Sequence, residues 1–125
     1  MKEAFSTDDA PKAPAFLSQA ITSNGFVFVA GQIHSTPDGK VTDGSTEEKM
    51  SQIMKNIAAI LKSAGAALND IVKVTIYVTD MAQMPELNEV YPTYFEEPYP
   101  AREAVCVKEL PLGATIEISV ISSKS

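Results

Sequence analysis

The strongest constraint on the fold is a change in the spacing of apolar residues along the chain. Between residues 50 and 64 they recur three or four positions apart, which places them along one side of a helix. The members of this stripe are Met50, Ile53, Met54, Ile57, Leu61 and Ala64. Ser45 and Glu48 have capping-box spacing ahead of the stripe, and Gly65 follows it as a C-cap. The stretch predicts one amphipathic helix with its apolar side towards a core.

After this helix the apolar spacing changes to two, which is the period of a β-strand. One face of the predicted strand carries Val72, Val74, Ile76 and Val78. The other face carries Lys73, Thr75, Tyr77 and Thr79. A strand with one aliphatic face packs that face on a core, so helix and strand are expected to belong to the same layered domain.

Two short apolar runs near the N-terminus predict a β-hairpin. Gln19 to Ser23 and Phe26 to Gln32 are separated by Asn24-Gly25, and both residues of such a turn take positive φ angles. A second turn follows at Pro37-Asp38-Gly39. The glycine of Ala30-Gly31-Gln32 suggests a close backbone approach, to another chain or to a ligand.

The C-terminal part predicts a second helix and two further strands. The helix runs from about Met84 to Glu96, and Pro92 is expected either to kink it or to interrupt it. Its inward side chains are Leu87, Tyr91, Tyr94 and Phe95. The strands Ala101 to Lys108 and Thr115 to Ser122 close the chain, linked by Pro111-Leu112-Gly113. This order predicts an α+β fold, with both helices packed on one face of a mixed sheet.

The totals describe one domain, residues 1–125, that is large enough for its own core. Two helices cover only one sheet face, so we expect self-association through the bare face.

A net charge of −6 disfavours binding to nucleic acid and to anionic membranes. No apolar run reaches the roughly 18 residues of a membrane span. A single cysteine and an acidic N-terminus favour the cytosol, with a processed mitochondrial or other organellar form as the alternative.

The chain lacks the residues that a metal site or a catalytic thiol would need. Cys106 is the only cysteine and His34 the only histidine, so one chain cannot build a cysteine-based zinc site or another ligand cluster. Cys106 is interpreted as a small apolar filler in its strand, and His34 as an exposed loop residue. No glycine-rich phosphate loop, serine elbow or metal-ligand spacing occurs.

Two charged residues on predicted strands are the candidates for chemistry. Arg102 follows the Pro100-Ala101 turn, and it is either a surface residue or a rigid fork that grips a carboxylate. Glu117 lies between two isoleucines. It is either a solvated residue or a carboxylate desolvated at a subunit interface, where a raised pKa would let it deprotonate water. On two adjacent strands, the pair would suit an anionic substrate. The residues alone leave these alternatives open.

Six short motifs then occur in a fixed order. They are Leu17-Ser18-Gln19-Ala20, Ala30-Gly31-Gln32-Ile33, Asn88-Glu89-Val90-Tyr91, Pro100-Ala101-Arg102, Leu110-Pro111 and Ile116-Glu117-Ile118. Together they resemble the reactive intermediate deaminase family, also called the Rid or YjgF family, over essentially the whole chain. The resemblance implies a chorismate-mutase-like α+β subunit that assembles as a homotrimer. In such a trimer the sheets form an inner barrel, the helices lie outside, and the ligand clefts lie between subunits.

The resemblance also implies an activity. It is the hydrolysis of 2-imino acids, which pyridoxal-phosphate enzymes release as enamines such as 2-aminoacrylate, to 2-keto acids and ammonia. The expected substrates are 2-iminopropanoate and 2-iminobutanoate, and no metal or organic cofactor is needed. Carried onto this chain, Arg102 would bind the substrate carboxylate and Glu117 would orient the attacking water. The Gly31 and Ala104 backbones would line the cleft, with Asn88 nearby on the second helix.

Three positions depart from the residues usual in this family. Leu17 stands where a tyrosine commonly contributes a hydroxyl to the cleft, Ala30 where a serine is common, and Ala104 where a cysteine is frequent. The cleft would be more apolar as a result, with Arg102 and Glu117 intact. Two other functions stay open: a noncatalytic binder of small carboxylates, which Leu17 motivates, and a translation inhibitor acting as a ribonuclease. The acidic balance argues against the ribonuclease.

Overall fold

A computed structural model describes residues 1–124 as one sheet with two helices packed on one of its faces. Within these residues lie, in chain order, β1 (Glu3–Phe5), β2 (Ala20–Ser23), β3 (Phe26–Ile33), α1 (Thr46–Ser63), β4 (Ile71–Val78), α2 (Met84–Val90), β5 (Ala101–Cys106) and β6 (Ile116–Ser123). The strands are ordered β1-β2-β3-β6-β4-β5, with β4 and β5 parallel and the other neighbours antiparallel. The predicted α+β class with a mixed sheet is confirmed.

Helix α1 forms where its local signals predict. The Ser45 hydroxyl accepts a hydrogen bond from the Glu48 amide at 3.1 Å, and the Ser45 amide donates to the Glu48 carboxylate at 3.0 Å. This capping box satisfies two amides that a helix start leaves unpaired. The predicted apolar stripe is buried along its whole length. Ala64 is the C-cap and Gly65 follows it with a φ of 83°, so the glycine serves one position beyond the cap.

Both predicted turns are present. Asn24 and Gly25 have φ angles of 52° and 81°, and they join β2 to β3 in the expected hairpin. Gly39 has a φ of 89° in the second turn, which folds the chain back so that Ser35 pairs with Val41. This second turn, at residues 36–39, borders the site described below.

Sheet order corrects one expectation about the candidate site. Arg102 lies on β5 and Glu117 on β6, but these strands are not neighbours, because β4 lies between them. The short edge strand β1 was not predicted either; it pairs with β2 along its three residues. Both differences arise from pairing between segments far apart in the sequence, which periodicity within one segment does not encode.

The predicted face of β4 is correct except at its start. Val74, Ile76 and Val78 are buried, but Val72 is 45% exposed and Ile71 is buried instead. The pairing of β4 with β6 shifts register between Ile71 and Lys73. An irregularity of this kind reverses the side-chain alternation, so the residue before it and the residues after it share the core face.

The second helix is interrupted near Pro92, as predicted. Helix α2 ends at Val90, and a 3₁₀ turn, Tyr91–Tyr94, continues it, so the helical stretch stops two residues before Glu96. Proline is tolerated at the start of this turn, where its missing amide costs no hydrogen bond. Three of the predicted inward residues are buried and the fourth, Tyr94, is half-buried.

The sheet face opposite the helices carries exposed aromatic and aliphatic side chains. Phe26 and Phe28 alternate with the buried Val27 and Val29, and each phenylalanine is 43% exposed. Val105 on β5 is also exposed on this side. The expected bare apolar face is therefore present, and self-association through it stays a prediction. In residues 1–124 no helix is long and apolar enough to cross a membrane.

Candidate functional site

Glu117 projects from the uncovered face of the sheet. Its neighbours Ile116 and Ile118 are fully buried on the helix side, so alternation along β6 turns the Glu117 side chain to the other face. The side chain is half-buried, and burial raises the pKa of its carboxyl above the ordinary value. A carboxylate in this environment accepts a proton more readily than a solvated one, which suits proton transfer.

Gly31 makes room for that carboxylate. It lies where the pairing of β3 with β6 shifts register between Val29 and Gln32. A Cβ atom at position 31 would lie 2.9 Å from Cδ of Glu117 and closer still to Oε2, and glycine avoids this overlap. The sequence predicts a close approach at Gly31 to another chain or to a ligand; within this chain the group that lies close is the side chain of Glu117.

A cleft of about 690 Å³ opens beside these two residues. Leu17 lines it from the segment before β2, while the turn at residues 37–39 and the loop at residues 111–112 border it. Apolar side chains form most of its wall. Three of the six predicted site residues therefore meet at one cleft, and we call Leu17, Gly31 and Glu117 the glutamate half-site.

The other three predicted residues lie on the edge strand β5 and on helix α2. Arg102 pairs in register with the buried Val74, so its side chain leaves β5 on the helix side. Its guanidinium carbon lies 4.8 Å from the centre of the Tyr91 ring, a cation–π distance. Ala104 faces the same side, and the exposed Asn88 lies three residues before Tyr91, on a neighbouring part of the helix surface. We call Asn88, Arg102 and Ala104 the arginine half-site.

Within one chain the two half-sites do not meet. Val74 pairs with Arg102 and Tyr77 with Glu117, so the two residues lie three positions and two strands apart. Strand geometry puts their Cα atoms roughly 14 Å apart, on opposite faces of the sheet. A ligand held by both side chains would therefore need Arg102 from a second copy of the chain.

His34 differs from its prediction as an exposed loop residue, since its exposed fraction is 1%. Its Nδ1 donates to the Thr42 carbonyl at 2.7 Å, and its Nε2 accepts from the Thr115 amide at 3.0 Å. Burial is the main cause that lowers the pKa of the ring, so the neutral form is favoured. His34 and Thr42 lie equally far from the centre of the Pro37-Asp38-Gly39 turn. This spacing is the sequence signal that could have predicted the contact between His34 and Thr42. The link of His34 to Thr115 has no such signal.

The comparisons with known proteins agree with this fold and with the motifs. The family model described as endoribonuclease L-PSP matches residues 7–124. The chain belongs to the Rid/YjgF family. A RutC family protein of Pyrococcus horikoshii is 46% identical over 125 residues, covering 99% of each chain. A mouse protein named 2-iminobutanoate/2-iminopropanoate deaminase is 37% identical over 123 residues, covering 98% of this chain and 91% of its own. The crystal structure of yeast Mmf1 superposes with a TM-score of 0.97 at 41% identity, over 100% of both chains.

Departures from the usual Rid/YjgF residues occur in both half-sites. Leu17 and Ala30 line the cleft, where their side chains bring no hydroxyl group. Ala104 is half-buried on β5 and belongs to the arginine half-site. The polar groups contributed to the cleft by the predicted site residues are therefore the Glu117 carboxylate and the Gly31 backbone.

Cys106 was interpreted as a small apolar filler in its strand, and this is wrong, because the residue is exposed. Strand β5 is the last strand of the sheet, and its other five residues are exposed or half-buried as well. Among residues 1–124 no group of three acidic, histidine or cysteine side chains is placed to hold a metal ion.

Proposed function

We propose that this protein is a hydrolytic deaminase of 2-imino acids, including 2-iminopropanoate and 2-iminobutanoate, which it converts to 2-keto acids and ammonia. The observation that carries the proposal is Glu117, a half-buried carboxylate with a raised pKa in an open cleft. The name of the mouse relative supports the same reaction. Imines already hydrolyse in water, so positioning and proton transfer are sufficient contributions for a catalyst.

The proposed assembly is a homotrimer in which each cleft joins the glutamate half-site of one copy to the arginine half-site of the next. Two observations support it: the half-sites lie on opposite sheet faces, and the uncovered face exposes Phe26, Phe28 and Val105. Cyclic symmetry repeats one heterologous contact around a closed ring. The expected mass in solution is about 40 kDa, three times that of the 13.4 kDa chain.

Each site residue has a proposed role. Arg102 binds the substrate carboxylate through two parallel hydrogen bonds, and stacking on Tyr91 fixes the plane of its guanidinium. The Gly31 and Ala104 backbones line the bound imine, and Asn88 contributes an amide from α2. Leu17 contributes apolar surface. Together these contacts would present the imine carbon to a water molecule beside Glu117.

The proposed reaction has two proton-transfer stages. Glu117 takes a proton from water as the water oxygen adds to the imine carbon, and it returns that proton to the nitrogen, which gives an amino alcohol. Glu117 then moves the hydroxyl proton to the nitrogen. The carbon–nitrogen bond breaks, and ammonia and the keto acid leave. The raised pKa of Glu117 suits a group that both accepts and donates a proton in one cycle.

The test is keto acid formation from freshly generated 2-aminoacrylate, after subtraction of the spontaneous rate. Arg102→Ala is expected to lower kcat/KM by about 100-fold, which corresponds to about 3 kcal/mol of lost charge-assisted hydrogen bonding. The matched control is Lys108→Ala, which removes an exposed cation just beyond β5. Equal rates for wild type and the Arg102 variant would refute the proposal.

The second candidate is a noncatalytic binder of small carboxylates such as 2-keto acids. Leu17 favours it, because the cleft lacks the hydroxyl that the family usually places there. This function predicts Arg102-dependent binding of pyruvate without any acceleration of imine hydrolysis. Titration calorimetry together with the hydrolysis assay distinguishes the two functions.

The description of the family model as an endoribonuclease motivates a third candidate. The net charge of −6 opposes it, since a phosphate backbone is repelled by an acidic surface. Tight RNA binding that weakens steeply with salt would support this candidate.

The proposed compartment is the cytosol, with mitochondria as the alternative. The single cysteine suits a reducing compartment. One yeast relative is named mitochondrial, and fractionation of the cells that express this protein would separate the two.

A further inference from the structure

The cleft of the glutamate half-site is larger and more apolar than the smallest 2-imino acids require. 2-Iminopropanoate has about six heavy atoms and would fill on the order of 200 Å³, taking about 30 Å³ for each water-sized group. The cleft measures about 690 Å³. In the single chain, a ligand of that size would fill less than a third of this volume.

The walls around that space are mostly apolar and come from four segments of the chain. The side chains that matter are Pro14, Leu17, Ile33, Pro37, Pro111 and Leu112. Exposed apolar surface concentrated in one concavity favours an apolar ligand group, because water released from both surfaces contributes to binding. Lys12 and Asp38 also border the cleft, but both are exposed side chains.

Leu112 is the most informative of these residues. It is 74% exposed, and its φ of 58° and ψ of 24° lie in the left-handed region. Leucine rarely adopts this conformation, which glycine or asparagine takes with less strain. A strained backbone that presents a large apolar side chain at the border of a cleft indicates a role for that side chain beyond local folding.

We propose that the cleft selects 2-imino acids with branched apolar side chains, such as the imine of leucine, and that Leu17 and Leu112 determine this preference. The inference rests on the proposed deaminase function, because it names the substrate class of the same site. Glu117 and the partner copy's arginine would hold the reacting end of the substrate. The apolar side chain of the substrate would lie between Leu17 and Leu112. The hydroxyl that the family usually has at position 17 would place a polar group against this side chain.

The experiment compares 4-methyl-2-iminopentanoate with 2-iminopropanoate, each produced in the assay by oxidation of leucine or alanine. The wild type is expected to show a kcat/KM about tenfold higher for the branched imine, within the range for a few methylene contacts in an apolar pocket. Leu112→Asn, which suits the left-handed backbone, and Leu17→Ser should each lower that ratio about fivefold. Met81→Asn is the matched control, since Met81 is 49% exposed and lies outside the cleft lining.

The outcomes separate this inference from the proposed function. If the wild type accelerates both reactions but prefers the small imine, or if the variants slow both equally, the inference is overturned and the deaminase function stands. If neither reaction is accelerated, the deaminase function fails. In that case, calorimetry compares the binding of 4-methyl-2-oxopentanoate with that of pyruvate. Tighter binding of the branched acid would support the inference. Equal affinities, weaker binding of the branched acid or no binding would overturn it. The remaining alternative is that Leu17 or Leu112 only packs against a second copy of the chain. Light scattering on each variant would then show a changed oligomer while the ratio of the two kcat/KM values stays the same. This result would also overturn the inference.

Discussion

At the scale of single residues, Glu117 combines a proposed catalytic role with a cost in stability. Its raised pKa means that the folded chain binds a proton more readily than the unfolded chain, so ionisation of Glu117 opposes folding. The stability that this shift provides is present below the unfolded pKa and is lost as the pH rises through the folded pKa. A group retained in this environment despite its cost is typical of an active site.

Glu117→Gln is therefore expected to lower kcat by about 100-fold or more, the contribution typical of one acid–base group, with little change in KM. The same variant should unfold at a higher urea concentration than wild type at pH 7, and the difference should vanish below about pH 4, where both side chains are neutral. Activity assays check the expected loss of kcat, and urea titrations at the two pH values check the expected change in stability. A variant that is less stable at pH 7 would contradict the assigned burial effect.

Leu17 allows a test in which a single hydroxyl changes. Leu17→Tyr restores the group that the Rid/YjgF family usually has in the cleft, and Leu17→Phe is its matched control. The tyrosine variant is expected to hydrolyse 2-iminopropanoate about three to ten times faster than the phenylalanine variant, as one hydrogen bond of about 1 kcal/mol implies. Equal rates for the two variants would show that the hydroxyl contributes nothing in this cleft.

At the scale of secondary-structure elements, His34 connects the parts that frame the cleft. Its ring joins the turn at residues 36–42 to Thr115, two residues before Glu117. Protonation would place an N–H group of Nε2 against the Thr115 amide, and two donors cannot bond each other. The lowered pKa of His34 follows chiefly from its burial, and Lys49 adds to it.

For a lowered folded pKa, the stabilising contribution is complete above the unfolded value of about 6.5 and is lost as the pH falls through the folded value. The free energy of unfolding is therefore expected to decrease as the pH falls below about 6.5, with a single histidine titration in NMR spectra, because His34 is the only histidine. His34→Ala should cost about 1–3 kcal/mol at pH 7, since the Thr115 amide and the Thr42 carbonyl lose their partner. It should also remove that pH dependence. If the dependence persisted in the variant, another group would be its cause.

The elements that the sequence predicts well are those with local signals. Helix α1 follows from the Ser45–Glu48 box, the β2–β3 hairpin from Asn24-Gly25, and the break after α2 from Pro92. The strand order and the exposure of Val72 depend on pairing across the sheet, which no local pattern contains. The candidate site divides in the same way. Its residues follow from motifs, but their separation into two half-sites follows from the position of β4 and from the opposite sheet faces that Arg102 and Glu117 occupy.

At the scale of the whole molecule, the division into two half-sites would make the proposed function of one copy depend on the next. In a ring of three, each cleft would take Glu117 from one copy and Arg102 from its neighbour. Neither Arg102→Ala nor Glu117→Gln subunits alone would form an intact cleft. A mixed ring would form one wherever an arginine-deficient copy supplies Glu117 and a glutamate-deficient copy supplies Arg102.

Mixing the two inactive variants is therefore expected to restore activity. If equal amounts are unfolded together and refolded, random assembly makes about one cleft in four intact, so about a quarter of the wild-type rate should return. The control refolds each variant separately and mixes them afterwards under conditions without subunit exchange, where no activity should appear. If both charges acted from the same chain, no mixture would recover activity, because every chain lacks one of them. The recovered fraction thus measures directly whether Arg102 and Glu117 act across a subunit boundary.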